Sequence, residues 1–317
     1  VVGGRRLDGA GAPVVVLTVA GSDSGGGAGI QADLRTFAAH RAYGCSVVTA
    51  VTAQDTTGVH GVLPVPPDFV DRQLSAVLGD LPVRAVKTGM LGGAGTVRVV
   101  ARRASAGELP NLVVDPVLVA TSGDRLSDVD SMAVIRDELL PYATVTTPNA
   151  AEAGALLGRT VSTVEEMAAA AEELGRTGAW CVVVTGGDLA GAPAGGVAGG
   201  MACDAVWFGG EVTVLRSRRI DTRNTHGTGC TFSAAVAVGL GRGMAPVDAV
   251  VAAKDYLSRA LRSAAGWRLG AGRGPVDHLV DLAGSDLAGS DLTGGDLAGN
   301  DLTGGDPHDV DGAGEAT

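Results

Sequence analysis

Short β-branched runs alternate along most of the chain with stretches in which apolar residues recur every three or four positions. The runs at Val14–Ala20, Cys45–Ala53, Val83–Lys87, Asn111–Val117, Thr144–Thr146 and Trp180–Thr185 predict buried strands. Between them, Ile30–Ala42, Pro67–Leu78, Gly95–Arg103, Val129–Leu140, Ala150–Leu157 and Val164–Leu174 predict helices. "ACDAVWF" followed by "EVTVLRS" predicts a hairpin, and "FSAAVAVGL" predicts one more, fully buried helix. Strands alternating with helices give an α/β fold: three layers, with a mostly parallel central sheet between helices.

In such folds ligands sit beyond the carboxyl ends of the strands. "AGSDSGGG", "TAQDT", "KTGM", "DPV", "TPNAAE" and "TGGD" each lie just past a predicted strand. Together they predict one site assembled from distant segments.

Composition fits this picture. Apolar residues make up 45% of the chain and aromatics only 3%, so the core is built of Val, Ala and Leu, as suits strands buried on both faces. The net charge of −11 misleads as an average: ten acids fall from Asp277 onward, where no Lys or Arg occurs. The body is near neutral, which argues against a nucleic-acid partner. Cys45, Cys181, Cys203 and Cys230 form no CxxC pair, which argues against a zinc site or disulfide framework and for a reducing, cytoplasmic setting. No uninterrupted apolar run reaches about 18 residues, so no membrane partner is expected. Residues 1–13 are expected to be a loose arm, 14–279 the folded domain, and 280–317 an acidic tail. From Val280 to Gly304 the tail reads VDLAG, SDLAG, SDLTG, GDLAG, NDLTG. This resembles a pentapeptide repeat, but five copies give little more than one coil, and the segment reads as a flexible extension.

The chemistry concentrates at "NTHGTGCTFSAA", Asn224–Ala235. Gly227 and Gly229 stand where a helix begins, so unpaired amides there can approach an anion. The helix dipole is expected to lower the Cys230 thiol pKa into the range of about 3.5–7.5, making it a base or a nucleophile. His226 is either an assistant or a turn residue. "GSDSGGGAGIQAD" is not a Walker A loop, since no GK[ST] follows. Asp115 ends a strand before Pro116, and Asn149 lies three residues before Glu152. Asp115 and Glu152 could hold magnesium, directly or through water; otherwise Glu152 is a helix N-terminal charge.

These segments, with "AYGCSVVTAVTAQDT", "DPVLVATSGDRL" and "GRGPVDH", resemble the ribokinase-like superfamily. Within it they are most similar to the hydroxymethylpyrimidine/phosphomethylpyrimidine kinases, over roughly Val14 to Leu279. The resemblance implies ATP and Mg2+ as cofactors, a small pyrimidine substrate and a homodimer. It implies that Gln54 reads the pyrimidine edge, with Gly21, Asp33, Met90 and Val117 lining the pocket. Cys230 takes the place of a catalytic Asp. Gly227, Thr228 and Gly229 form the anion hole, and Asn149 and Glu152 match a metal-associated N-x-x-E motif with Asp115 nearby. Two positions depart from the family. Thr185 stands in the phosphate-facing place of a lysine, with Lys87 the candidate replacement cation, and Thr121 stands where some members have Lys. Related enzymes with the same cysteine loop phosphorylate vitamin B6 alcohols, so a pyridoxal-type kinase is the neighbouring alternative. A non-catalytic pyrimidine-binding homologue is the third.

Overall fold

Nine strands form one sheet in the order β3-β2-β1-β4-β5-β6-β7-β8-β9, in a computed structural model that describes residues 11–117, 129–187 and 200–282. They are β1 (Val15–Ser22), β2 (Tyr43–Gln54), β3 (Val59–Pro64), β4 (Val83–Thr88), β5 (Leu112–Val114), β6 (Val145–Thr146), β7 (Cys181–Thr185), β8 (Met201–Phe208) and β9 (Glu211–Arg218). The six strands from β2 to β7 are parallel, while β3, β8 and β9 add antiparallel edges. The helices are α1 (Gly29–Ala39), α2 (Pro67–Asp80), α3 (Ala94–Ser105), α4 (Val129–Val134), α5 (Ala150–Leu157), α6 (Val164–Gly175), α7 (Thr228–Gly241) and α8 (Pro246–Ala264).

Each strand sends alternate side chains to opposite faces. Val19, Val86, Leu112, Val114, Val182 and Val184 pack under α2, α3, α5 and α6. Val16, Ala85, Val113, Val145, Cys181 and Val183 pack under α1, α7 and α8. Every residue of α7 from Thr231 to Gly241 is buried. The body of α7 is therefore fixed by packing on all sides, while Thr228, Gly229 and Cys230 at its amino end keep solvent access.

Three elements differ from the sequence expectation. α8, Pro246–Ala264, was not among the expected helices, although its buried residues Ala249, Val250, Ala253, Tyr256 and Ala260 recur at helical spacing. β3 was not expected: five of its six residues are exposed, so it has no alternation to read. The helix expected over Val129–Leu140 is interrupted. α4 passes into a π turn at Ile135–Leu139 and a 3-10 turn at Leu140–Tyr142. Pro141, which has no amide to donate, sits where the ladder would continue. The expected hairpin is β8–β9. Most of the expected arm and tail, and Thr121, lie outside the described residues. Val280 and Leu282, at the start of the expected tail, pack against the α7–α8 cluster, and Asp281 pairs with Arg259.

The carboxy-terminal segment brings a titrating group inside. His278 is 4% exposed, its Nε2 has no partner, and its carbonyl accepts the Tyr256 hydroxyl. Burial, helped by the Arg35 charge, pushes its pKa down to about 4. An unfolded chain takes up this proton near pH 6.5, the folded chain only near 4. Between those values the unfolded state binds more protons, so the contribution is complete above pH 6.5 and is lost as pH falls toward 4. The expected loss is on the order of 3 kcal/mol. Urea unfolding at stepped pH checks it: His278→Gln removes this part of the acid sensitivity, and an unchanged slope would refute the assignment.

Candidate active site

The chain leaves β1 to build β2 on one side and returns to build β4 on the other, so the order reverses between β1 and β4. A crevice opens at such a switch point. Gly21 and Met90 meet there: the Gly21 amide donates to the Met90 carbonyl at 3.1 Å, and the Thr49 hydroxyl donates to the same oxygen at 2.6 Å. A Cβ on Gly21 would lie 2.2 Å from the Met90 Cε. Gln54, ending β2, is tied to the same crevice. Its amide donates to the Ser24 hydroxyl at 2.8 Å, and that hydroxyl donates to the Gln54 carbonyl at 2.7 Å. A cavity of about 330 Å³ opens beside it, lined by Gln54, Thr56, His226, Gly272 and Arg273 among others. A larger hollow, about 540 Å³, lies at the opposite edge before β4 and β5, away from these loops.

Asp23 organises the glycine-rich loop after β1. Its carboxylate accepts the amides of Gly25 at 2.8 Å, Gly27 at 3.0 Å and Ala28 at 2.8 Å, and the His226 Nε2–H at 2.8 Å. Burial opposes the charge, but His226 and the Ala28 and Gly25 amides outweigh it and hold the carboxyl below its ordinary value. His226 is thus more than a turn residue: it bolts the loop before α7 to the loop after β1. The His226 amide also donates to the Gly274 carbonyl at 3.0 Å, so "GRGPVDH" braces the same place. Sequence reading missed this clamp, whose members lie 203 positions apart. The Asp in a glycine run, a frequent turn organiser, was the available signal. Asp23→Ala leaves three amides and an imidazole without an acceptor. It is expected to cost about 3 kcal/mol of stability. Urea denaturation measures the effect; wild-type stability would show that the clamp does not hold the two loops together.

α7 begins at Gly227, with φ +82° and no side-chain cap. The amides of its first turn, at Thr228, Gly229 and Cys230, therefore have no helical acceptor. Beneath them lies a buried polar cluster. Thr18, Lys87 and Asp115 share the parity of Val16, Ala85 and Val113, so they face α7, while Thr185, half-buried, leaves the same face of the sheet toward α8. Asp33 of α1 is fully buried. It accepts the Thr18 hydroxyl at 2.6 Å, and Lys87 Nζ spans its two oxygens at 2.9 and 3.0 Å. Burial works against the Lys87 charge, but Asp33, then Cys230 and Asp115, hold its pKa above the ordinary lysine value. Lys87 is therefore not a phosphate-facing replacement for a lysine at position 185, because its ammonium is fully buried and committed to Asp33. Asp33 sits under the crevice rather than at its surface. Asp115 accepts the Ser233 hydroxyl at 3.0 Å, and burial pushes its pKa up to about 6. Cys230 is partly exposed. Desolvation, with Asp33 and Asp115 nearby, outweighs Lys87 and pushes its thiol up to about 12. The expected lowering by the helix dipole is thus overturned: the packed surroundings and two carboxylates outweigh the amides.

Asn149 and Glu152 form a reciprocal cap at the start of α5. The Glu152 amide donates to Asn149 Oδ1 at 2.8 Å, and the Asn149 amide donates to Glu152 Oε2 at 2.9 Å. Asn149 is bridged to Thr185 across β6 and β7. Val117 follows Asp115 in a tight turn, its amide donating to the Asp115 carbonyl at 2.9 Å. No group of three His, Cys, Asp or Glu side chains suited to a metal occurs among the described residues. Two carboxylates past neighbouring strands still fit Mg2+, which is commonly held by one or two carboxylates, waters and substrate phosphates. The Thr147 hydroxyl, buried without a partner two positions after Val145, faces the same side as Asp115. No helix among the described residues is long and apolar enough to cross a membrane.

The crevice at the switch point, the uncapped mouth of α7 and the buried polar base beneath it lie at the carboxyl edge of one sheet. Residues 23–277 match the family model described as phosphomethylpyrimidine kinase. The hydroxymethylpyrimidine/phosphomethylpyrimidine kinase of Rhizobium meliloti is 49% identical over 268 residues, covering 83% of this chain and 96% of that protein. The ADP complex of Bacillus subtilis pyridoxal kinase superposes with a TM-score of 0.77 at 36% identity, covering 86% of this chain and 100% of the other. Phosphomethylpyrimidine kinase from Clostridium difficile gives 0.67 at 35% identity, covering 78% and 99%. The chain belongs to the phosphomethylpyrimidine kinase family. It is an ATP-binding phosphotransferase with the ribokinase-like fold.

Proposed function

We infer that the chain phosphorylates 4-amino-5-hydroxymethyl-2-methylpyrimidine and then its monophosphate, using ATP, to supply thiamine diphosphate synthesis. The observation that carries this reading is the uncapped mouth of α7, with Cys230 in its first turn, set across the Asp23–His226 clamp from Gly21, Met90 and Gln54.

Phosphoryl transfer depends mainly on positioning and on meeting developing charge. The amides of Gly227, Thr228 and Gly229 meet charge growing on the transferred group. Gln54 reads the pyrimidine edge, with Gly21, Met90 and Val117 forming the walls and Asp33 supporting them from below. Cys230 orients the hydroxymethyl group as the thiol and accepts its proton in the thiolate form. Asn149 and Thr185, already bridged, serve the nucleotide side. Asp115 and Glu152 are the residues that would hold Mg2+, which supplies charge neutralisation of the phosphates when bound. The protein works in the cytoplasm as a homodimer. Tyr43, Val51 and Leu63, exposed on one face of the β2–β3 edge, offer an apolar contact face.

The test is a kinase assay on purified protein with Mg2+ and ATP, followed by 31P NMR. The pyrimidine alcohol is expected to yield monophosphate and then diphosphate. Ligand binding without turnover would indicate the non-catalytic homologue. The similarity to pyridoxal kinase structures favours one second reading, a pyridoxal-type kinase. Side-by-side initial rates with pyridoxal decide between the two.

A further inference from the structure

Thr185 and Asp204 face each other in the antiparallel β7–β8 ladder. Their side chains leave the same face of the sheet, and α8 covers that face. Lys254 reaches down from α8 and ion-pairs with Asp204 Oδ2, the two side chains being only 14% and 10% exposed. The other oxygen, Asp204 Oδ1, accepts the Gly186 amide at 3.1 Å. Gly186 is confined as well: a Cβ there would lie 2.5 Å from the Cys203 carbonyl oxygen and 2.8 Å from the Met167 Cε. The Thr185 amide donates to the Pro148 carbonyl at 2.9 Å, beside Asn149. The turn leaving β7 is thus held by the β6–α5 junction, by β8 and by a lysine from α8.

Placing an ion pair this deep costs desolvation, and a hydrophobic pair would often hold the same elements as well. The pair therefore calls for a role beyond stability. We propose that Asp204 and Lys254 are a positioning pair for nucleotide binding. Through the Gly186 amide they fix the Thr185–Gly187 turn. This rests on the assignment of the Asn149–Thr185 edge to the nucleotide.

Calorimetry with ADP and with the pyrimidine alcohol tests it, on full-length Lys254→Met, Lys254→Arg, Asp204→Asn and the double variant Lys254→Met/Asp204→Leu. Lys254→Met is expected to weaken ADP about tenfold and raise the KM for ATP alike, as loss of a charge-assisted bond does. The pyrimidine affinity and kcat should change by less than about threefold. Lys254→Arg restores ADP binding because it restores the pair, and Asp204→Asn falls between. The double variant leaves no lone buried charge, so it melts above Lys254→Met yet shows at least the same ADP loss. Native ADP affinity in the double variant, or pyrimidine affinity falling in step with ADP, overturns the proposal. Failure of the wild-type protein to bind ADP would instead refute the nucleotide assignment of this edge.

Discussion

Replacing Cys230 with alanine is expected to slow phosphorylation of the alcohol by about 10²- to 10⁴-fold, the range of a general base, while the second transfer changes by less than about tenfold. The alcohol must lose a proton as it attacks; the monophosphate is already an anion and needs no base. Because burial pushes the thiol up to about 12, the resting group at neutral pH is the thiol. The thiolate fraction grows as pH rises. The first transfer should therefore accelerate from pH 7 to 9 without a plateau, and the second should not follow it. Single-turnover rates for each acceptor, measured across that interval, make the comparison. Equal losses in both transfers would leave Cys230 a steric role only.

Gly227→Ala is expected to abolish activity and lower stability by several kcal/mol, whereas Gly229→Ala folds normally. Gly227 has φ +82°, and a Cβ there would lie 1.8 Å from the Gly27 carbonyl oxygen and 2.9 Å from its carbon. Those are backbone atoms, which no rotamer change moves aside. Left-handed strain adds about 1–2 kcal/mol, and relief of the clash pulls the two glycine loops apart. Gly229 is different: its φ is ordinary, and the nearest atom to a Cβ would be Asp115 Oδ2 at 3.8 Å. Any loss in Gly229→Ala then reports on the anion cradle rather than on the fold. Melting curves with single-turnover rates separate the two. A stable, active Gly227→Ala would contradict the packing described here.

The sequence carried the layer order because Val15–Ser22 and Cys181–Thr185 are buried on both faces and read as nearly continuous apolar runs. β3 was hidden for the opposite reason: an exposed edge strand is under no demand to alternate. The glycine–cysteine loop was legible as a helix mouth because amide exposure follows from local chemistry. The electrostatics around it was not. Whether Lys87 meets phosphate or Asp33, and whether a dipole or burial governs Cys230, depends on which side chains α1 and β4 bring together. Asp23 with His226, and Asp204 with Lys254, are likewise partners only across the fold.

The interlock of "GRGPVDH" with the loop after β2 and the loop before α7 has an implication for biosynthesis. A nascent chain can complete strands β1 to β9 on the ribosome and still lack a finished catalytic centre. Asn224 awaits the carbonyls of Ala264 and Trp267, His226 awaits that of Gly274, and Thr56 awaits Gly272 and Arg273. Catalytic competence should therefore switch on late in translation, when these closing residues clear the exit tunnel and dock against a segment made more than two hundred residues earlier.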